Sequence, residues 1–202
     1  SYIMRAAVRS GDAEAFKSAY ESPFGFINVN ADNAMMDPRT QPNPYQLSSA
    51  SWGDLRSGSS IVDYMNGYND PRRASYFTMD EWGTTEKYCG MRRGIIIPNQ
   101  ASIGHQFSGF TLKVSDPVCW MNAAEVAFLE AEAVAVFGYD MGGSAKDFYE
   151  KGIALSFEQW GAGSAAQYIA DNSSVPGTYT DPSGSNTYAC LLYTSPSPRD
   201  CS

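Results

Sequence analysis

Helical periodicity is clearest in the last third of the chain. Asp116-Pro117 offers an N-cap and a proline at the first helical position, and Trp120, Ala124, Ala127, Phe128, Ala131, Val134 and Ala135 then recur at three and four until Gly138. The spacing predicts a helix of about six turns. After Tyr139–Gly143, Ser144-Ala145-Lys146-Asp147 reads as a capping box with Asp in place of Glu. Ala145, Phe148, Tyr149, Gly152, Ile153, Ser156, Phe157 and Trp160 follow on one face, ending at Gly161. The small residues Ala127, Ala131 and Gly152 let two axes approach, and Phe128, Phe148, Phe157 and Trp160 fill the space left over. Trp120 and Trp160, periodic on their helices, are expected in the core.

Residues before Asp116 are less regularly patterned. Residues 1 to 9 read as the tail of a helix already under way, with Ile3, Met4, Ala7 and Val8 on one face. From Ser22 to Ser51 the chain is rich in Pro, Asn, Asp and Ser, which predicts a long irregular excursion. Ile61, Val62 and Met65 predict a short helix over Ser57–Asn66, stopped by Gly67 and followed by a turn at Pro71. Short strands are expected at Gly94–Pro98 and Phe110–Val114. The expected class is mainly α, with helical hairpins of the tetratricopeptide kind, long loops and a few short strands.

Composition narrows the function. With 14 Lys and Arg against 22 Asp and Glu, a formal charge of −8, the chain lacks the cations that hold a polyphosphate backbone, so nucleic acid is not an expected partner. No apolar run is long enough to span a bilayer. The run Cys190 to Asp200, CLLYTSPSPRD, has no periodicity and reads as the translation of a transposase adaptor used in shotgun libraries. Residues 190–202 are therefore set apart as non-native, and 1–189 as one partial domain. That leaves Cys89 and Cys119, too few for a disulfide framework or a cysteine zinc site; two buried free thiols are expected, with a single Cys89–Cys119 disulfide as the alternative.

Asn122-Ala123-Ala124-Glu125-Val126-Ala127-Phe128-Leu129-Glu130-Ala131-Glu132-Ala133, then Asp147-Phe148-Tyr149-Glu150-Lys151-Gly152-Ile153 and Ser156-Phe157-Glu158-Gln159-Trp160-Gly161, resemble the SusD/RagB family of Bacteroidota outer-membrane nutrient-binding lipoproteins. Ser59–Asn66 and Asn69-Asp70-Pro71-Arg72 resemble it in the same order. The resemblance implies a fragment of a cell-surface protein that captures a glycan, or in some members a peptide, as the lid of a TonB-dependent SusC-like transporter. It also implies localisation at the outer membrane through a lipid anchor that lies outside this stretch, with no enzymatic activity and no cofactor.

The residues can be weighed without that resemblance. The one histidine, His105, has no nucleophile elbow around any serine, and histidine-pair zinc motifs are excluded. Glu125 and Glu132, seven apart on one helix, are the tempting carboxylate pair for glycoside hydrolysis, although hydrogen-bonding or solvated roles fit better. Clusters at Asp32, Asn33 and Asp37, or Asp63, Asn66, Asn69 and Asp70, lack calcium-loop order and read as turns, so no metal site is assigned. Sugar rings stack their C–H faces on indole and phenol rings and hydrogen-bond to Asn and Arg. Region 45–93 holds such residues, and Trp52, Trp82, Tyr68, Tyr88, Asn69 and Arg72 are the candidate ligand contacts. Arg72-Arg73 and Arg92-Arg93 are the doublets from which a basic patch for anionic glycans would be built. A helical glycoside hydrolase or lyase, and a tetratricopeptide scaffold for protein partners, remain as alternatives.

Overall fold

The computed structural model describes residues 1–38, 41–79, 87–94, 106–180 and 187–188. Contacts divide the chain into two units, the first made of Ser1–Asp37 with Pro117–Ala170 and the second of Pro38–Asp116 with the residues after Ala170.

In the first unit, α1 (Tyr2–Ser10) ends at Gly11, whose φ of 70° is the left-handed conformation that glycine adopts without strain. Asp12 then caps α2 (Ala13–Tyr20) by accepting the Ala15 N–H at 2.9 Å. Met4, Ala7 and Val8 of α1 are buried as the periodicity predicts, but Ile3 is 61% exposed. The Ser22–Ser51 excursion is more ordered than its composition predicts. It holds a 3-10 turn at Asn30–Asp32, strand β1 (Ala34–Met36), the short helix α3 (Pro44–Gln46) and a π-helical turn at Leu47–Ser51, the last two in the second unit.

Further along the second unit come α4 (Ser59–Gly67) and α5 (Arg73–Tyr76). The chain then returns to the first unit as a strand, β2 (Val118–Met121), where a first helical turn is predicted. It pairs antiparallel with β1, Met35 opposite Cys119 and Met36 opposite Val118. This pairing, invisible to local periodicity, satisfies the backbone of 118–121 and leaves Trp120 56% exposed instead of in the core. The helix proper, α6 (Ala123–Phe137), starts after this strand rather than at Pro117, and its cap is Asn122, whose side chain accepts the Glu125 N–H at 2.7 Å.

Helix α6 is apolar nearly all round because it is buried on two faces. Val126, Leu129 and Ala133 join Met4, Val8, Phe16 and Met121 in one core. On its other side Phe128 meets α7 (Ala145–Gln159), where Ile153, Phe157 and Ala165 form a second core. The predicted capping box of α7 is formed, with Ser144 and Asp147 each satisfying the other's backbone N–H. A methyl group on Gly152 would lie 2.7 Å from the Phe128 ring, so the close approach of α6 and α7 rests on that glycine. Trp160 stands at the end of α7 and is 38% exposed rather than a core residue. A short helix, α8 (Ala166–Ala170), closes this unit.

The second unit is built on α4, whose Val62 and Met65 pack with Phe77 in a small core edged by Tyr76, Tyr88 and Phe110. Segments around 57, 90 and 108 cross at its base: Ser57 Oγ donates to the Ser108 carbonyl at 2.8 Å, and Ser108 Oγ accepts the Cys89 N–H at 2.9 Å. Phe110 forms a single β-bridge with Phe77, and the predicted strand goes no further. Gly94–Pro98, the other predicted strand, lies outside the described residues beyond Gly94. Residues β3 (Tyr179–Thr180) and β4 (Thr187–Tyr188) pair antiparallel. Among the described residues both cysteines are free, Cys89 buried and Cys119 exposed, the latter against expectation because it lies on β2.

Candidate functional site

The end of α4 organises most of the sequence-predicted contacts. Gly67 is not the left-handed stop that the sequence suggests. That conformation belongs to Asn69, with φ 48°, a residue type that tolerates it. Gly67 serves instead as a seat, since a methyl group there would lie 2.0 Å from the Val175 carbonyl oxygen.

Past Asn69 the chain turns inward at Asp70, which is 1% exposed. Its carboxylate accepts the Arg72 backbone N–H and Nε, each at 2.9 Å, and a further bond from Arg72 Nη2. Arg73 lies alongside: Nε donates to the Asp70 carbonyl at 3.0 Å, Nη1 to Asn66 Oδ1 at 3.1 Å and Nη2 to Asn69 Oδ1 at 2.7 Å. Its guanidinium carbon sits 5.6 Å from the centre of the Tyr88 ring, a cation–π contact. Asn66 Nδ2 donates to the Tyr88 carbonyl at 3.0 Å and so fixes the same segment a second time.

Of the sequence-predicted residues, Asn69, Arg72 and Tyr88 are thus brought together through Asp70, Asn66 and Arg73. Tyr68 stacks on Tyr64 one turn earlier, with ring planes 3° apart and centres 6.2 Å apart. Trp52 belongs to a different segment, at the end of the π-helical turn, and is 60% exposed. Trp82 and His105 lie outside the described residues. Tyr76 packs edge-on against Phe77 at the margin of the small core.

Sequence reasoning missed the buried role of Asp70. The signal was there in Asn69-Asp70-Pro71-Arg72-Arg73, an acid before proline with arginines two and three further on. On the same unit the carboxyl of Asp63 is pushed up to about 6 by burial.

No acid pair poised for glycoside hydrolysis is formed by Glu125 and Glu132. Glu125 accepts Arg5 Nε at 2.5 Å and Nη2 at 2.6 Å, and Glu132 meets Arg9 at 3.5 Å, so the two bind α1 to α6. Glu130, between them, is 2% exposed and reaches Lys151 of α7 at 3.3 Å. Burial pushes its carboxyl above the usual range while Lys151 pulls it back. Among the described residues no group of three or more His, Cys, Asp or Glu is placed to hold a metal ion, and no helix is long and apolar enough to cross a membrane.

The chain matches the SusD-like family, described as Susd and RagB outer membrane lipoprotein, over residues 4–196. It belongs to that family. Solved SusD-like structures agree. A SusD homologue from Bacteroides uniformis shares 47% identity with a TM-score of 0.80, over 92% of this chain and 39% of its own. A chitin-binding SusD homologue from Flavobacterium johnsoniae shares 36% identity with a TM-score of 0.84, over 92% of this chain and 40% of its own. A SusD-like protein from Bacteroides thetaiotaomicron shares 34% identity with a TM-score of 0.83, over 93% of this chain and 41% of its own. The chain therefore spans about two fifths of the length of these SusD-like relatives. No protein with a curated description matches it.

Proposed function

We propose that the protein captures a nutrient oligosaccharide, or an oligopeptide, at the cell surface and delivers it to a TonB-dependent, SusC-like transporter in the outer membrane, held there by a lipid anchor and performing no chemistry on its cargo. The observation that carries this reading is family membership over almost the whole chain, with the chitin-binding homologue among the similar structures. The residues support it. Exposed aromatic rings such as Trp52 and Tyr45 lie in the same unit as the carboxamide and guanidinium groups around Asn69. Glu125 and Glu132, the acids a hydrolase reading would recruit, are engaged by arginines.

Calorimetric titration of the protein with chito-, cello-, malto- and xylo-oligosaccharides is expected to give saturable binding without release of reducing sugar. Release of reducing sugar that disappears on substituting one carboxylate would replace this proposal with the glycosidase reading. Pull-down from outer-membrane extract is expected to recover a TonB-dependent transporter; recovery of soluble periplasmic proteins alone would favour a scaffold.

A further inference from the structure

Helical hairpins of the tetratricopeptide kind do not bury their apolar faces alone, and a hairpin that ends a stack turns a polar face outward. The first unit does the reverse around the start of α1. Tyr2 Oη donates to the Trp120 carbonyl at 3.4 Å, so the helix start lies against β2. Arg5, bound to Glu125, donates to the same carbonyl at 3.1 Å with its guanidinium carbon 5.0 Å from the Tyr2 ring centre. Across the strand pair Met35 lies opposite Cys119, and Met36 follows it. Ile27 N–H donates to Ser1 Oγ at 2.9 Å, which brings the turn closed by Gly25 N–H on the Ser22 carbonyl to the same end of the helix. Phe24, in that turn, is 95% exposed, and Tyr2, Ile3, Met35, Met36 and Trp120 are exposed with it. Arg9 and Ser10, further along α1, are exposed and polar, so the apolar face is confined to the helix start. Such a gathering of large apolar side chains marks a contact surface.

Two observations bear on what covers it. About three fifths of each of the similar SusD-like chains lies outside the stretch matched here, enough polypeptide for further hairpins. The other is the point of entry. Ser1 stands among these side chains and gives α1 no side-chain cap, its Oγ being taken by Ile27. Burial lowers the pKa of its amino group, and such surroundings suit a peptide N–H better than an ammonium. The residues after Ala170, by contrast, belong to the second unit. We infer that in the complete protein the apolar face formed by the start of α1, the Phe24 turn and the β1–β2 ribbon is the seat of a further helical segment of the same polypeptide, one that leads into α1.

Hydroxyl-radical footprinting of the complete polypeptide, read by mass spectrometry, tests this. Phe24, Met35, Met36 and Trp120 are expected to be labelled at least about tenfold more slowly in the native protein than in urea, at every protein concentration. Native and unfolded rates that agree within about threefold would leave the face open to water and overturn the inference. Protection that disappears on dilution would assign the face to a second copy. Protection that appears only when a purified TonB-dependent transporter or lipid vesicles are added would assign it to that partner. Either result overturns the inference. Phe24→benzoylphenylalanine in the complete polypeptide, irradiated at low concentration, is expected to cross-link to a peptide preceding Ser1. A cross-link confined to peptides within residues 1–202, or to peptides after them, overturns the assignment to the segment leading into α1.

Discussion

Asp70 is a carboxylate almost wholly out of water, and what makes it tolerable is the fork of Arg72 together with a backbone N–H. Removing one partner of such a pair leaves an uncompensated charge, so Arg72→Gln is expected to cost about 3 kcal/mol, read as a lower denaturation midpoint. Restoring stability with Asp70→Asn in the same chain would show that the loss is the stranded charge; a loss that persists would assign it to packing. Asp63 behaves in the opposite sense. Its folded-state pKa of about 6 lies above the ordinary 3.8, so the folded protein holds that proton more tightly than the unfolded chain. Its cost is absent below pH 4, grows as pH rises through 6, and is complete above that. Asp63→Asn should therefore raise stability by about 1 kcal/mol at pH 8, after allowance for partial solvent access, and by nothing at pH 4. An equal gain at both pH values would remove burial as the cause. At this scale the sequence was a partial guide. Asn69, Arg72 and Tyr88 were picked out as candidates because they are chemically conspicuous, but that Tyr88 lies beside the other two follows only from the fold. The duty of Arg72 was not legible, because an arginine bound to a ligand and one bound to an internal acid look alike until the acid's burial is known.

Helix α4 shows how an element's ends follow from its surroundings. Gly67 packs under the 175–177 segment, and Gly177 N–H donates to the Asp63 carbonyl at 2.7 Å. Gly67→Ala sets its new methyl against backbone, which cannot rotate away, and is expected to cost at least about 2 kcal/mol despite alanine's better helix propensity. A midpoint equal to that of the parent would place the segment elsewhere in solution. Asn122→Ala removes the cap of α6 and should cost about 1 kcal/mol, with loss of helical signal small because the helix is otherwise buried. From Ala123 onward the α6–α7 hairpin was legible, since its small residues, its capping box and its glycine at the crossing are all local patterns, although Trp160 at its end is exposed rather than in the core. Strand β2 was misread as helix because Asp116-Pro117 is a good local start, whereas its pairing with β1 is a long-range event. The genuine start signal, Asn122 three residues before Glu125, sits inside the stretch that the false start had already claimed.

For the whole molecule, contacts between distant stretches decide what periodicity cannot. Arg5 and Glu125 join α1 to α6 across most of the chain, and the early helix thereby becomes one arm of a helical scaffold rather than a frayed end. Tetratricopeptide-like hairpins and a mainly α class follow from local patterning; the division into two units does not, because it depends on where the chain returns. That return has a consequence for how such a protein diversifies. Met36 and Val118 are partners on adjoining strands, so the chain leaves the first unit after β1 and rejoins it at β2 beside the point of departure. An excursion closed at its base can change length at small cost, since doubling a flexible loop adds only about 0.6 kcal/mol of closure entropy. Stretches within it that bear the ligand contacts proposed here, such as the turn carrying Trp52, are therefore expected to tolerate insertions while the paired strands at the base keep their register.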